Sequence, residues 1–393
     1  MMNALPQNKR PLAGLLVLDF SQYLSGPFCG LKLADLGARV IKVERPGTGD
    51  PCRGLFISDP VGGENPLFHA INRNKESITA DLRNPQDRAR LTALVAQADV
   101  LIQNFRPGVI ARQGLGYDDV AQINPQLVYG SISGFSDTDW RDLPGQDLLA
   151  QARSGLMWLT GSGDHPPMPM GLSVADMLAG EALTQGILAA LVGRGVHGRG
   201  ALVETSLLEA LLSLQFEVLT THLNDGHQLP QRPAANGAHA YIGAPYGVYA
   251  TRDGHLAIAM TPSLRHLAGL MQIDGLDPWL DDPQAARAAR DDINAVIAAQ
   301  VATRSTTEWL AMLQPADIWC AEVLDWHALM AAPAFGQLDM VQRIGGATGL
   351  DTLRGPLRLD RQTLASGRGA PRLGADTARV FSEFGCDANA ARG

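Results

Sequence analysis

Residues 15–44 read LLVLDFSQYLSGPFCGLKLADLGARVIKVE, and this stretch decides the fold. Its first six residues are a short apolar run that predicts a buried strand. Ser25-Gly-Pro27 then begins a helix that continues to about Leu36, and residues 37–44 form a second apolar strand. A strand, a helix and a strand in this order predict a parallel βαβ unit with a right-handed crossover.

The same alternation continues along the chain and predicts a doubly wound α/β domain. Residues 45–70 are rich in Gly, Pro and Asp and are expected to be a long loop. Further strands are predicted at 77–82, 100–104, 127–131 and 198–205, and helices at 84–98, 144–157, 176–193 and 207–223.

A polar segment at 224–240, rich in Gly and Pro, predicts a linker to a second domain. Arg252-Asp-Gly254 lies between two apolar runs and predicts a hairpin. Helices are predicted at 263–272, 284–302, 306–313 and 375–384. We therefore expect a large domain made of 1–223 with 334–393, and a smaller α+β domain at 224–333.

Composition excludes several classes of protein. The chain has 393 residues and a net charge of −8, which argues against nucleic-acid binding because that needs a basic face. We expect no apolar run long enough to span a bilayer, and the polar N-terminus is unlike a signal peptide. We therefore expect a cytoplasmic protein without a membrane partner. The four scattered cysteines and nine histidines show no metal-ligand spacing, so no metal site is predicted.

The motifs of several common enzyme mechanisms are missing. The sequence has no G-x-S-x-G turn and no Walker loop. Residues 193–198 match G-x-G-x-x-G, but these glycines end a helix and precede a strand, which is the wrong order for a dinucleotide site. A carboxylate nucleophile is compatible with what remains.

Asp176 is the carboxylate best placed for such a role, at the start of an apolar helix. Two interpretations are open. Aspartate is a preferred helix N-cap, and position alone favours that structural role. A carboxylate at the mouth of a buried helix can also be a reactive group.

Arginines follow several of the predicted strands. Arg45, Arg83, Arg106 and Arg112 all lie at or just beyond strand ends. The carboxyl ends of strands in an open α/β sheet are where ligands bind, and arginines there suit a phosphorylated ligand. The alternative is that each is an ordinary solvated arginine.

Several separated segments, in order, resemble the family III CoA-transferases, the group of formyl-CoA and carnitine CoA-transferases. The resemblance runs from about Pro11 to Gly385 and rests on residues 11–20, 37–50, 72–75, 98–108, 154–161, 174–176 and 370–374. It implies a Rossmann-like large domain, a smaller domain that completes the site, and an interlocked homodimer.

The resemblance also implies a mechanism. The Val174-Ala-Asp176 segment matches the family nucleophile, which attacks an acyl-CoA thioester to form an aspartyl anhydride. An aspartyl-CoA thioester follows, and the product is the acyl-CoA of a small carboxylic acid, possibly a dicarboxylic acid. Coenzyme A enters as the acyl-CoA substrate. The coenzyme A contacts that the resemblance implies are Leu24, Ser25, Arg45, Leu82, Arg83, Asn104, Phe105, Arg112, Gln146 and Asp147.

The chain departs from its relatives at two places. Residues 236–243 lack the glycine run that covers the substrate in formyl-CoA transferases, which argues against oxalate or formate as substrate. Gln146 stands where the related α-methylacyl-CoA racemases have a histidine, and an amide cannot transfer the proton of a racemase. A racemase and a CoA-binding protein without catalysis are the alternatives. Tyr23, Arg73 and His239 are candidates to bind a second substrate carboxylate, and a purely structural role is the alternative for each.

Overall fold

The structure, a computed structural model, describes residues 4–55, 65–345 and 349–386. These residues divide into two compact units. Of the described residues, the first unit contains 4–55, 65–154, 172–214, 338–345 and 349–386, and the second contains 155–171 and 215–337. The predicted division differs from this one because 155–171, 215–223 and 334–337 belong to the second unit.

The described residues form the following elements. The strands are β1 (Leu16–Asp19), β2 (Arg39–Glu44), β3 (Glu76–Thr79), β4 (Val100–Gln103), β5 (Val128–Ser133), β6 (Leu202–Ser206), β7 (Gly247–Ala250), β8 (His255–Met260), β9 (Trp319–Glu322), β10 (Val341–Ile344), β11 (Leu350–Leu353), β12 (Arg358–Leu359) and β13 (Gln362–Thr363). The helices are α1 (Ser25–Asp35), α2 (Pro66–Ile71), α3 (Pro85–Val95), α4 (Tyr117–Ile123), α5 (Asp147–Arg153), α6 (Leu156–Leu159), α7 (Val174–His197), α8 (Leu207–Leu214), α9 (Phe216–Asn224), α10 (Leu264–Met271), α11 (Pro283–Ala288), α12 (Arg290–Val301), α13 (Thr306–Leu313), α14 (Trp326–Ala331), α15 (Pro333–Leu338) and α16 (Thr377–Glu383).

A six-stranded parallel sheet forms the centre of the first unit, in the order β3-β2-β1-β4-β5-β6. Leu18 of β1 pairs with Ile41 of β2 on one side and Leu101 of β4 on the other, and all three side chains are buried. The strand order reverses between β1 and β4. In open α/β sheets the crevice outside such a reversal is where ligands bind. The doubly wound α/β prediction is confirmed.

Helix α7 packs within the first unit against α1, α8, β5 and β6. It is long and apolar enough, by length and composition, to cross a membrane. The expectation that no segment reaches that length is therefore wrong. Its buried residues include Ala179, Gly180, Leu183 and Ile187, which are contacts of a core helix.

The second unit has a separate core and a three-stranded antiparallel sheet, β7-β8-β9. The predicted hairpin is confirmed: Thr251 N–H donates to the Gly254 carbonyl at 2.9 Å. Trp309 is fully buried in this core, and its indole N–H donates to the Val301 carbonyl at 2.8 Å.

Three predicted helices are each two helices in the structure. The 144–157 helix breaks at Gly155, whose φ of 83° is left-handed. The 207–223 helix breaks at Gln215, and the 284–302 helix breaks at Ala289, which is not helical. The predicted loop 45–70 contains α2 and a short 3-10 helix at Pro51–Gly54, while its residues 56–64 lie outside the described part. At each break a single residue leaves the helical conformation, which an apolar pattern does not reveal.

Candidate active site

Asp176 occupies the third position of α7, inside the helix rather than at its N-cap. Ser173 precedes the helix and its side chain accepts no capping hydrogen bond. Instead, Oδ1 of Asp147 accepts the N–H groups of Ala175 at 2.7 Å and of Asp176 at 3.3 Å. The capping interpretation of Asp176 is therefore wrong. The cap comes from α5, and the Asp176 carboxylate is left for other contacts.

The surroundings of Asp176 make its carboxyl group unusually basic. Burial, together with the negative charge of Asp147, raises the pKa of Asp176 to about 6, and a hydrogen bond from Ser25 opposes that rise. Near neutral pH the group is still mostly ionised, and its basicity is higher than that of an ordinary aspartate. A half-buried carboxylate in this state is suited to act as a nucleophile or a base.

Close packing of α7 on α1 brings Asp176 to Ser25. Gly180 is one turn beyond Asp176, and a Cβ at that position would lie 2.6 Å from the Ser25 carbonyl oxygen. Because real Cβ atoms do not approach so closely, only glycine permits this separation of the helices. The small residues of α7 therefore position the carboxylate beside the start of α1.

Asn104 joins the two strands at which the sheet order reverses. It follows β4, and its side chain contacts the turn that follows β1. Its Oδ1 accepts from Gln22 N–H at 2.8 Å, and its Nδ2 donates to the Gln22 carbonyl at 2.8 Å and to Ser25 Oγ at 3.2 Å. Leu24 lies in the same turn. The predicted contacts Leu24, Ser25 and Asn104 are thus brought together at the reversal point.

Beneath this turn lies a group of buried charges that the sequence analysis missed. Lys75 Nζ pairs with Asp19 Oδ2 at 2.8 Å and also donates to the Pro27 carbonyl at 2.9 Å, in the first turn of α1. Lys42 Nζ pairs with Asp50 Oδ2 at 2.8 Å and donates to the Ser21 carbonyl at 2.8 Å. Both lysines are completely buried. A lysine inside the apolar strand Val-Ile-Lys-Val was the available signal.

The buried charges hold the backbone next to the candidate nucleophile. Asp50 Oδ1 accepts from Tyr23 N–H at 3.1 Å, and Tyr23 has a left-handed φ of 63°. Glu44 continues the group by accepting from Arg53 Nη2 at 2.7 Å and from Ser77 Oγ at 2.7 Å. Paired charges of this kind fix a conformation more than they stabilise a fold. The Asp50 contacts therefore tie the loops after β1 and β2 to each other where the ligand crevice begins.

The remaining predicted coenzyme A contacts lie along the carboxyl edge of neighbouring strands. Arg45 follows β2 and is exposed, and Leu82 and Arg83 follow β3. Arg83 pairs with Asp81 at 3.2 Å, and its side chain is 82% exposed. Phe105 and Arg112 follow β4, and Phe105 packs against the core of the sheet. Exposed guanidinium groups on this edge fit the phosphates of a nucleotide.

Two further predicted contacts lie at the start of α5. Gln146 is exposed and precedes the helix, without a side-chain capping bond. Asp147 uses Oδ1 to cap α7, and its Oδ2 accepts from Gln151 Nε2 at 2.7 Å. Asp147 thus has a structural role that the prediction of a coenzyme A contact did not include.

The candidates for binding a second carboxylate have different surroundings. Arg73 forms a buried, two-bond ion pair with Asp35, with both N···O distances 2.8 Å, so the expectation that it binds a substrate carboxylate is wrong. Tyr23 is exposed in the turn after β1. His239 belongs to the second unit, where its Nε2 lies 3.5 Å from Glu217 Oε1.

Within the described residues, no group of three or more His, Cys, Asp or Glu side chains could hold a metal ion. The acidic residues of the site are engaged with lysines, arginines or helix N–H groups instead.

Comparison with known proteins agrees with this geometry. The profile of CoA-transferase family III matches residues 12–377. A succinate–glutarate CoA-transferase of Agrobacterium fabrum is 33% identical over 98% of both chains, and an acetyl-CoA:oxalate CoA-transferase of Acetobacter aceti is 33% identical over 96% of both. The crystal structure of a CAIB/BAIF family protein from Brucella suis superposes with a TM-score of 0.81 at 32% identity, over 95% of this chain and 99% of that one.

A match of this extent defines the class of protein as an enzyme that transfers coenzyme A between acyl groups. The chain belongs to CoA-transferase family III.

Proposed function

We propose that this enzyme transfers coenzyme A from an acyl-CoA donor to a small carboxylic acid, with Asp176 as the nucleophile. One observation carries the assignment of Asp176: its carboxylate is released from helix capping by Asp147 and lies at the point where the sheet order reverses. Its raised basicity favours attack on a thioester carbonyl.

The proposed reaction consists of four acyl exchanges. A carboxylate oxygen of Asp176 attacks the donor thioester carbon, the C–S bond breaks, and an anhydride and a CoA thiolate form. The thiolate attacks the Asp176 carbonyl carbon, which releases the donor acid and gives an aspartyl-CoA thioester. The acceptor carboxylate attacks the carbonyl carbon of this thioester. The C–S bond breaks, the CoA thiolate leaves, and a second anhydride forms between Asp176 and the acceptor. The thiolate then attacks the acceptor's acyl carbon, which gives the product and restores the Asp176 carboxylate.

No net proton transfer occurs in these steps, because carboxylates and thiolates exchange as anions. The site agrees with this chemistry, since the groups that set the pKa of Asp176 are a second carboxylate and a serine. The intermediates are sensitive to water, so rigid loops at the crevice are useful to exclude it. The buried charges beneath the Tyr23 turn provide such rigidity.

We propose a dicarboxylic acid as the acceptor. Relatives that cover nearly the whole chain include transferases named for glutarate, oxalate and mesaconate, and several are named for succinyl-CoA. Tyr23 is the exposed residue of the β1 turn that could contact the distal carboxylate. We assign the phosphates of coenzyme A to the edge that carries Arg45, Arg83 and Arg112.

Trapping of the intermediates tests the mechanism. Incubation with succinyl-CoA and then with borohydride or hydroxylamine should modify Asp176, and peptide mass spectrometry should locate the change on that residue. Asp118→Asn is the matched control because Asp118 is an exposed aspartate in the first turn of α4. Absence of any adduct, with no CoA exchange across a panel of mono- and dicarboxylic acids, would refute the proposal.

Proton transfer at the α-carbon of an acyl-CoA is the second candidate function, because a carboxyl group with a pKa of about 6 is also a suitable base. Racemisation needs a second titratable group on the opposite face, and Gln146 cannot titrate. Incubation in D2O separates the two functions. Deuterium at the α-carbon without CoA exchange would favour the racemase, and CoA exchange without deuterium would favour the transferase.

We also propose an interlocked homodimer. Helices α9 and α14 contain no buried residue, yet both carry large apolar side chains. Phe216 is 71% exposed and Trp326 is 82% exposed. Apolar surface of this kind marks protein interfaces. Light scattering should give twice the chain mass, and an interlocked dimer should persist on dilution until the protein unfolds.

A further inference from the structure

Tyr23 has a backbone conformation that bulky residues rarely adopt. It lies in the turn between β1 and α1, where its φ is 63°. A Cβ makes this left-handed region unfavourable, and glycine adopts it without that cost. Asparagine and aspartate account for half of the described left-handed residues other than glycine, because their short polar side chains tolerate it. A tyrosine has no such advantage, so the chain carries a phenol side chain where glycine would be more favourable.

Side chains from other loops of the first unit hold this turn in place. Asn104 Oδ1 accepts from Gln22 N–H, and its Nδ2 donates to the Gln22 carbonyl, both at 2.8 Å. Asp50 Oδ1 accepts from Tyr23 N–H at 3.1 Å. The other oxygen of Asp50 pairs with the buried Lys42 at 2.8 Å, which keeps the acceptor in place. A strained residue persists where its surroundings over-determine the backbone, and such residues cluster at functional sites.

The Tyr23 side chain is available to a ligand. It is 52% exposed, and within the described residues its hydroxyl group has no hydrogen-bond partner. The turn continues directly into α1, and the Ser25 carbonyl oxygen would lie 2.6 Å from a Cβ on Gly180 of α7. Asp176 lies one turn earlier in that helix. Tyr23 is therefore two residues from the point where α1 meets the helix of the candidate nucleophile.

We propose that Tyr23 determines the specificity for the acceptor acid, with its phenol O–H donating to the second carboxylate of a dicarboxylic acid. This inference rests on the proposed function, in which the first carboxylate attacks the thioester at Asp176. A phenol is neutral at pH 7 and donates one hydrogen, and its bond to an anion is charge-assisted. The lysines beneath the turn cannot replace it, because Lys42 and Lys75 are buried in ion pairs. A backbone that is already fixed also lowers the ordering that binding requires.

Removal of the hydroxyl group alone tests the recognition. Glutarate and pentanoate have the same carbon chain and differ in the second carboxylate. The acceptor meets the aspartyl-CoA thioester after the donor acid has left, so its kcat/KM can be measured with saturating succinyl-CoA. The native enzyme should prefer glutarate. Tyr23→Phe should lower kcat/KM for glutarate about tenfold or more, and leave that for pentanoate within about twofold.

Two smaller side chains separate specificity from stability. Tyr23→Gly and Tyr23→Ala both remove the phenol, and both should lose the preference for glutarate. Because φ is left-handed, the glycine variant should melt about 1–3 °C above the alanine variant. Arg361 is the matched control, since it is exposed, has a φ of 65° and lies in the hairpin turn between β12 and β13. Arg361→Gly and Arg361→Ala should show the same order of stability with the native preference for glutarate.

The outcomes separate this inference from the proposed function. An unchanged preference for glutarate in Tyr23→Phe, or an equal loss for both acids, would overturn the inference while CoA transfer by the native enzyme stands. Light scattering that gives Tyr23→Phe half the mass of the native enzyme would assign Tyr23 to a subunit contact and would also overturn it. A native enzyme that transfers CoA to no acid would refute the proposed function, and this inference with it.

Discussion

Oδ1 of Asp147 accepts the backbone N–H of Asp176 at 3.3 Å and that of Ala175 at 2.7 Å, so one carboxylate caps the helix that carries the other. The two residues are on different helices, α5 and α7. Because Asp147 caps α7, the Asp176 side chain is not needed as a cap of its own helix. Its carboxylate is also affected by the negative charge of Asp147. Capping and charge are separable by mutation, because asparagine keeps the acceptor oxygen and loses the charge.

Asp147→Asn should therefore move the pH dependence of the enzyme while preserving its stability. The Asp147 charge raises the pKa of Asp176, so its removal lowers that pKa. The ionised, active form then persists to lower pH, and the acid limb of kcat/KM moves down by about half a unit or more. Asp147→Ala also loses the cap and should cost about 1 kcal/mol of unfolding free energy. An acid limb that moves upward in Asp147→Asn would contradict this account.

Asp176→Asn should abolish transfer and make the folded protein more stable at neutral pH. The pKa of Asp176 is about 6 in the folded state, against 3.8 for an aspartate in the unfolded chain. Ionisation is thus harder in the folded state, so the native group lowers stability as pH rises from about 4 to 6, and that loss is complete above it. The variant should gain about 3 kcal/mol near pH 8 and nothing near pH 3.5. Thermal unfolding of the native enzyme and the variant at pH 8 and at pH 3.5 measures the two stability differences, with Asp118→Asn as the control.

Arg83→Ala should raise KM for the acyl-CoA about tenfold with little change in kcat, because it removes a phosphate contact far from the reacting carbon. The rise in KM relative to the native enzyme should be smaller at high salt, because the Arg83 guanidinium group is exposed and salt screens its charge. Arg194→Ala is the matched control. Arg194 pairs with Asp99 at 2.9 Å, next to the start of β4 and so at the amino edge of the sheet. An equal rise in KM for both variants would remove Arg83 from the coenzyme A site.

The sequence predicted the local elements and their order, because apolar runs and turn residues lie close together in the chain. The strand–helix–strand unit at 15–44 and the hairpin at Arg252-Asp-Gly254 were both confirmed. Pairings between distant residues could not be predicted in this way. Lys75 and Asp19 are 56 positions apart, and Asp147 and Ala175 are 28 apart. No local pattern in the sequence pairs these residues, and only the folded sheet brings each to its partner.

The same limit explains why position alone favoured a capping role for Asp176. Asp119 and Asp176 both occupy the third position of a helix. Asp119 Oδ2 accepts from the N–H of Gly116 at 3.1 Å, which is the local capping role that sequence rules describe. Asp176 is relieved of such a role by a residue of another helix. The segments that resemble the family, and that point to Asp176, therefore carried information that helix rules did not.

The site also requires the close approach of α1 and α7, and a substitution at Gly180 tests this requirement. A Cβ at Gly180 would lie 2.6 Å from the Ser25 carbonyl and 3.2 Å from the Phe28 ring, so Gly180→Ala must push the helices apart. We expect a loss of about 1–3 kcal/mol in unfolding free energy, as for other overpacked cores. Transfer activity should fall as well, because the Ser25 and Asp176 side chains separate.

Gly195→Ala in the same helix is the matched control, since a Cβ at Gly195 meets nothing within 4 Å. Alanine there should stabilise α7 by about 0.5–1 kcal/mol, because glycine loses more backbone entropy in a helix. Chemical denaturation with CoA-transfer assays on both variants gives the comparison. Opposite signs in stability, with activity lost only in Gly180→Ala, locate the requirement at the contact between the helices. Equal effects would mean that α7 tolerates no added side chain anywhere, and the close approach would then have no special role in catalysis.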